Sequence, residues 1–350
     1  MSLSDRVADL AADVEAVDAD AAAAATARHA LLAKPPGSLG ALEPLGARLA
    51  AIAGACPPPV PGAPAVVVAA GDHGVHARGV TPWPQAITAA MVATMCAGRA
   101  SVNALAATVG ARVSVLDVGI AGPPVVHPLA RRARVRDGTA DLAAGPAMSR
   151  DEAARAVLAG AGLAEELAAA GVDLLVTGDM GIANTTASAC LVAAFSGRPA
   201  AEVTGPGAAG PEVVATKTAV VEAGMALHRP DPGDPLGVLA AVGGLEHAAL
   251  VGLILAGAAE RLPVVLDGLI AVSAALVAVA MAPAAADYLI AGHRSTEPGA
   301  SVALAQLGLE PLLDLGMRLG EGTGALLAVP LVIAAARVLR DVATIDEVSP

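Results

Sequence analysis

Val172-Asp-Leu-Leu-Val-Thr-Gly-Asp-Met-Gly-Ile-Ala-Asn-Thr-Thr186 sets three signals end to end. The apolar run to Thr177 reads as a buried strand, Gly178-Asp-Met-Gly181 as a turn, and the apolar stretch from Ala187 to Phe195 as a helix. The pattern recurs along the chain. Val66-Val67-Val68 leads to Gly71-Asp-His-Gly74, and Val113-Ser-Val-Leu116 leads to Asp117 and Gly119. Val264-Val265-Leu266 leads to Asp267-Gly268, and Tyr288-Leu-Ile-Ala291 leads to Gly292-His-Arg294. Strands alternating with helices imply βαβ units and a mainly parallel sheet with helices on both faces, an α/β fold. In such sheets ligands bind outside the carboxyl ends of the strands. Asp72, Asp117, Asp179 and Asp267 each follow a strand, so several acids are expected around one crevice. For Asp117 and Asp267 a plain helix cap is the favoured reading.

Outside this core, Met1 to Ala33 is Ala-rich with periodic acids and reads as helical until Pro35-Pro-Gly37. Leu39 to Ala53 resumes the helical pattern, and Cys56-Pro-Pro-Pro-Val-Pro-Gly-Ala-Pro64 marks a linker and domain boundary. Gly268 to Ala286 is uncharged and long enough to span a bilayer. Its Ala/Val content, Pro283 and flanking Asp267 and Asp287 favour a buried helix instead. The N-terminus lacks a basic segment followed by an apolar one, so no signal peptide is expected.

Charge narrows the function. The 350 residues carry 21 Lys+Arg against 33 Asp+Glu, a net charge of −12. Such acidity gives no electrostatic reason to hold nucleic acid or an anionic membrane. Trp83, Phe195 and Tyr288 are the only aromatics, too few for base-stacking platforms. Cys56, Cys96 and Cys190 are scattered and read as core residues of a reducing compartment, the cytoplasm. No metal site and no cofactor are expected.

Five segments and one lysine are candidates for chemistry. The turn from Gly178 to Thr186 offers a helix N-terminus with Asn184 and Thr185, as an anion or ribose site or as an ordinary cap. Its glycines and Asp179 favour the former. It is not a Walker A loop, since no Gly-Lys-Ser/Thr triplet exists. Gly205-Pro-Gly-Ala-Ala-Gly210 matches a dinucleotide pattern but lacks a preceding strand and reads as a loop. Lys217, one of two lysines, either binds phosphate or lies on a solvated helix face. Gly71-Asp-His-Gly-Val-His76 has no nucleophile elbow and so no hydrolase triad. Thr81-Pro-Trp83-Pro-Gln85 supplies the only indole, as a ligand wall or a surface plug. Leu319-Gly-Glu-Gly-Thr-Gly-Ala325 places one carboxylate among glycines before an apolar helix. Glu321 is there either a helix-start acid or a catalytic carboxylate.

Lys34-Pro-Pro-Gly-Ser-Leu-Gly40, Gly71-Asp-His-Gly-Val75, Gly178 to Thr186, Ser295-Thr-Glu-Pro-Gly299 and Leu319 to Ala325 occur in this order. Together they resemble the nicotinate-nucleotide–dimethylbenzimidazole phosphoribosyltransferase family of cobalamin lower-ligand assembly. The resemblance implies a doubly wound α/β domain over residues 60–320. It also implies a smaller helical domain built from both chain ends, residues 1–59 and 321–350, and a homodimer. The implied reaction moves phosphoribose from nicotinate mononucleotide to dimethylbenzimidazole, giving α-ribazole phosphate and nicotinate. A cationic pyridinium leaves as a neutral ring, so no general acid is needed, and a single displacement inverts the anomeric carbon. By the resemblance Glu321 is the base. Asp179, Met180, Gly181, Ile182, Asn184, Thr185, Lys217 and Gly320 hold phosphate and ribose, and Thr81, Trp83 and Gln85 line the base pocket.

The chain departs from the usual family pattern at Asp179 (often Glu), Ala183 (Gly), Pro206 (Arg), Ala300 (His) and near Ala90 (Gln). Two other classes stand beside this reading: a non-catalytic nucleotide sensor of the same fold, and an enzyme using a dinucleotide.

Overall fold

Side-chain alternation along one strand sets the architecture, in a computed structural model that describes residues 1–348. In β1 (Pro64–Gly71), Ala65, Val67 and Ala69 enter one apolar cluster, while Val66, Val68 and Ala70 enter another. A strand with both faces buried needs apolar residues at every position, which is why its run is continuous rather than alternating. β2 (Arg112–Gly119), β3 (Ala130–Arg132), β4 (Leu174–Met180), β5 (Val264–Leu266) and β6 (Leu289–Ala291) complete the sheet. Its order is β3-β2-β1-β4-β5-β6 and every pairing is parallel. The doubly wound α/β fold read from the sequence is the fold observed.

Helices Arg150–Ala169, Asn184–Ser196, Leu245–Ala259 and Leu269–Met281 build the first layer. Helices Leu42–Ala53, Ile87–Cys96, Ser101–Val109 and Thr323–Asp341 build the second. The tightest helix pair of the first layer depends on glycines. A Cβ at Gly160 would lie 1.8 Å from the Ala249 carbonyl oxygen, and one at Gly252 would lie 1.8 Å from that of Val157. The uncharged stretch beginning at Gly268 is the buried helix Leu269–Met281. Among the described residues only Thr323–Asp341 is long and apolar enough to cross a bilayer, and 56% of its apolar window is buried inside the fold.

Three elements differ from the sequence reading. The segment from Met1 to Ala33 is two helices, Leu3–Ala12 and Ala19–Leu31, because the Asp18 carboxylate accepts the Ala21 N–H at 2.9 Å and restarts the chain as an N-cap. β3 has no counterpart in that reading. It is an edge strand with only Ala130 buried, so Ala-Arg-Arg carries no apolar run to announce it. The apolar helix that follows Glu321 runs through Pro330 to Asp341, although proline ordinarily ends a helix.

The chain ends meet. Ala33 N–H donates to the Ala343 carbonyl at 2.8 Å, Arg28 Nε donates to the Leu339 carbonyl, and Ala25, Ala50 and Leu339 form a small apolar cluster. Helix Leu3–Ala12 instead packs on Arg150–Ala169 of the sheet layer.

Candidate active site

The strand order reverses between β1 and β4, and a parallel sheet opens a crevice at such a point. A cavity of about 230 Å³ lies there, floored by Asp179 and Met180 at the end of β4. The turn Gly181–Ala183, the Pro206–Ala209 loop and the segment Arg318–Glu321 form its walls.

Glu321 occupies the centre of three consecutive left-handed residues, with φ of +85° at Gly320, +62° at Glu321 and +86° at Gly322. Glycine tolerates this region and glutamate does not favour it, so the backbone at Glu321 is strained. The fit behind it is close. A Cβ at Gly178 would lie 2.7 Å from the Glu321 carbonyl oxygen, and one at Gly322 would lie 2.7 Å from Val66. The start of helix Thr323–Asp341 does not need Glu321. Asp267, at the end of β5, accepts N–H groups of Gly322 at 3.1 Å, Gly324 at 2.9 Å and Ala325 at 3.0 Å. Glu321 is thereby left to face the cavity, with a single long contact from the Val102 N–H at 3.4 Å. Burial pushes its carboxyl up from the usual range; the Val102 N–H opposes this and Asp267 adds to it.

At the opposite wall, Asn184 and Thr185 open helix Asn184–Ser196 without capping it, since no side chain caps that terminus. Asn184 Nδ2 donates to Asp179 Oδ2 at 3.0 Å. Burial, then Asp267 and Glu246, hold the Asp179 carboxyl well above its ordinary value. Lys217 is buried and donates to Thr185 Oγ1 at 2.8 Å and to the Gly205 carbonyl at 2.7 Å. It is therefore no solvated surface lysine. Burial pushes its ammonium down to about 8 against the pull of Glu297. The Gly205–Gly210 segment is a loop, as read, and its residues Pro206 to Ala209 line the cavity.

Thr81 and Trp83 stand at the rim, where the indole N–H donates to the Ala208 carbonyl at 3.1 Å and bridges two walls. Gln85 does not line the cavity, contrary to expectation. Its amide is used locally, donating to the His73 carbonyl at 3.2 Å. The expected ring of acids is also corrected. Asp117 lies within β2, accepts the Ile120 N–H at 3.0 Å and pairs with Arg134 at 2.8 Å, so it caps no helix. Asp72 is consumed by Thr88 and Ala121. Asp267 does cap a helix, but one much later in the chain than the helix that follows it.

Sequence reasoning missed Glu297, His293 and Arg318, which also line the cavity. Glu297 is buried; one oxygen accepts the Gly207 N–H at 2.9 Å and the other is unpartnered. Its signal was present as an acid inside Ser295-Thr-Glu-Pro-Gly299, ahead of a helix that starts at Pro298. Ala183, just ahead of helix Asn184–Ser196, adopts φ +77°.

His73, Glu246 and His247 meet in the interior beside this site, all fully buried. His73 Nε2 and His247 Nδ1 stand 2.7 and 2.8 Å from one Glu246 oxygen. Two ligands of a tetrahedral ion, each about 2.1 Å from it, would be about 3.4 Å apart. The spacing is that of ion pairs, with a hydrogen bond at His73. Burial opposes ionisation, yet the two imidazoles hold the Glu246 carboxyl far below its usual range, and Glu246 raises His73 in return.

A model of the family DBI_PRT, described as phosphoribosyltransferase, matches residues 14–349. A nicotinate-nucleotide–dimethylbenzimidazole phosphoribosyltransferase of Salinispora tropica is 55% identical over 345 residues, covering 94% of this chain and 95% of the relative. One from Roseiflexus sp. strain RS-1 is 51% identical over 332 residues, covering 95% and 94%. A crystal structure of the enzyme so named from Thermus thermophilus superposes with a TM-score of 0.91 at 48% identity, covering 95% of this chain and 99% of that one.

Proposed function

This chain belongs to the DBI_PRT phosphoribosyltransferase family, and from that premise we propose that it transfers phosphoribose from nicotinate mononucleotide to dimethylbenzimidazole. The observation that carries the mechanism is Glu321: a buried carboxylate facing the cavity, with its proton affinity raised and no cation paired to it among the described residues.

Glu321 takes the azole N–H proton of the incoming base while the other ring nitrogen attacks the anomeric carbon. A base with raised proton affinity works closer to neutrality than an ordinary carboxylate. The glycosidic bond breaks as the attack proceeds, and its electrons neutralise the pyridinium, so nicotinate leaves without protonation. Attack on the face opposite the leaving ring inverts the configuration. Lys217 and the positive N-terminal end of helix Asn184–Ser196 receive the phosphate. Met180, Gly181 and Ile182 shape the wall beside the ribose, together with Asp179, Asn184, Thr185 and Gly320. Thr81 and Trp83 flank the base.

Incubating the protein with both substrates tests the reading. Nicotinate and α-ribazole phosphate are expected in equal amounts. Binding without nicotinate release would leave a nucleotide sensor in place of an enzyme. We further read helices Ala19–Leu31, Leu42–Ala53 and the end of Thr323–Asp341 as one small unit, supported by the Ala25, Ala50 and Leu339 contacts, while helix Leu3–Ala12, though within residues 1–59, packs on the sheet layer. A cytoplasmic homodimer completes the proposal, and sedimentation is expected to give twice the chain mass of 33.8 kDa.

A further inference from the structure

Behind the cavity wall, Thr88 is wholly buried and performs two tasks with one oxygen. Its hydroxyl donates to Asp72 Oδ1 at 2.6 Å and accepts the Ile182 backbone N–H at 3.1 Å. The other Asp72 oxygen accepts the Ala121 N–H at 2.8 Å. A line of hydrogen bonds therefore runs from the loop after β2, through a carboxylate and a hydroxyl, to one amide of the cavity turn.

That turn is under constraint. Ala183, next to Ile182, holds φ +77°, a region that an L side chain disfavours. Gly181 is pressed against the end of β1, where a Cβ would lie 2.3 Å from the Gly71 carbonyl oxygen. Asn184 and Thr185 follow directly and face the cavity. A hydroxyl suits the junction because it donates to a carboxylate and accepts from an amide at the same atom.

We infer that Asp72 and Thr88 are positioning residues that anchor the Ile182 N–H, and through it fix the turn carrying Asp179, Asn184 and Thr185 against the phosphoribosyl group. This rests on the phosphoribosyl-transfer reading for its effect on turnover, though not for the anchor itself. It also gives a role to Asp72 of the Gly71-Asp-His-Gly-Val75 motif, which does not line the cavity.

Two variants and one local probe decide it. Thr88→Ser keeps the hydroxyl, while Thr88→Val keeps the shape without it. The Val variant is expected to lose about tenfold or more in kcat/KM for nicotinate mononucleotide and the Ser variant about twofold or less, the range for a hydrogen bond to a charged acceptor. Amide exchange at Ile182 is expected to be protected in the wild type and the Ser variant and unprotected in the Val variant. Amides of helix Leu245–Ala259 keep their protection in all three. Wild-type turnover in Thr88→Val, equal impairment in Thr88→Ser, or a wild-type Ile182 amide exchanging like an exposed loop would each overturn the anchor. If the Val variant does not fold, the Ser kinetics and wild-type exchange still decide. If the wild type releases no nicotinate, the functional reading fails while the exchange measurement still judges the anchor.

Discussion

Glu321 is buried and strained at once, and both features have a use. Its left-handed backbone, between Gly320 and Gly322, turns the side chain toward the cavity, while Asp267 satisfies the helix start that an acid there would otherwise serve. Replacing it by Gln preserves shape and removes the base. Glu321→Gln is expected to lower kcat by about 10²–10⁴-fold with KM little changed, measured by nicotinate release. The base must be ionised, and burial raises its pKa, so kcat falls as pH drops through a value above the ordinary glutamate range of about 4.3. That acidic limb is expected to vanish in the Gln variant.

Lys217 gives the opposite limb. It binds phosphate as an ammonium, and its pKa is depressed to about 8 in the free protein. kcat/KM for nicotinate mononucleotide is therefore expected to decline as pH rises through about 8. Lys217→Met is expected to raise KM by about 10–100-fold, the worth of a charge-assisted hydrogen bond.

At the scale of elements, the helix layer under the site is held by absent side chains. Gly160 and Gly252 let helices Arg150–Ala169 and Leu245–Ala259 touch backbone to backbone, and the second helix carries the buried Glu246–His247 pair. Gly252→Ala drives a methyl into the Val157 carbonyl and is expected to cost at least about 1–3 kcal/mol, read as a lowered thermal midpoint. The turn between β4 and helix Asn184–Ser196 is the second element under constraint. There Ala183 takes a glycine conformation, and the hydrogen bond from Ile182 to Thr88 holds the segment beside it.

For the whole molecule, helix Thr323–Asp341 joins the site to the chain ends. It begins at the cavity, just after Glu321, and runs past Leu339, where it meets the N-terminal helices through Ala25 and Ala50. Leu339 is fully buried, so Leu339→Ala is expected to cost about 2–5 kcal/mol, measured by urea denaturation. The sheet order also fixes where chemistry is possible. With β1 and β4 adjacent and the helices that follow them on opposite faces, the cover opens at their carboxyl ends.

The local signals that reached the structure intact were those read within a few residues. Continuous apolar runs at Val66–Val68 and Leu174–Val176 marked strands buried on both faces, and glycine turns marked their carboxyl ends. Those turns, with Glu321 and Lys217, were enough to single out residues that the fold then gathers around one cavity. Tertiary structure alone decided which acids face that cavity. Asp72, Asp117, Asp179 and Asp267 all follow the same local pattern, and only distant partners separate them: Thr88 and Ala121, Arg134, or the helix start at Gly322. Glu297 and the anchor from Thr88 to Ile182 were equally out of reach. A hydrogen bond between residues far apart in the chain has no periodicity to announce it.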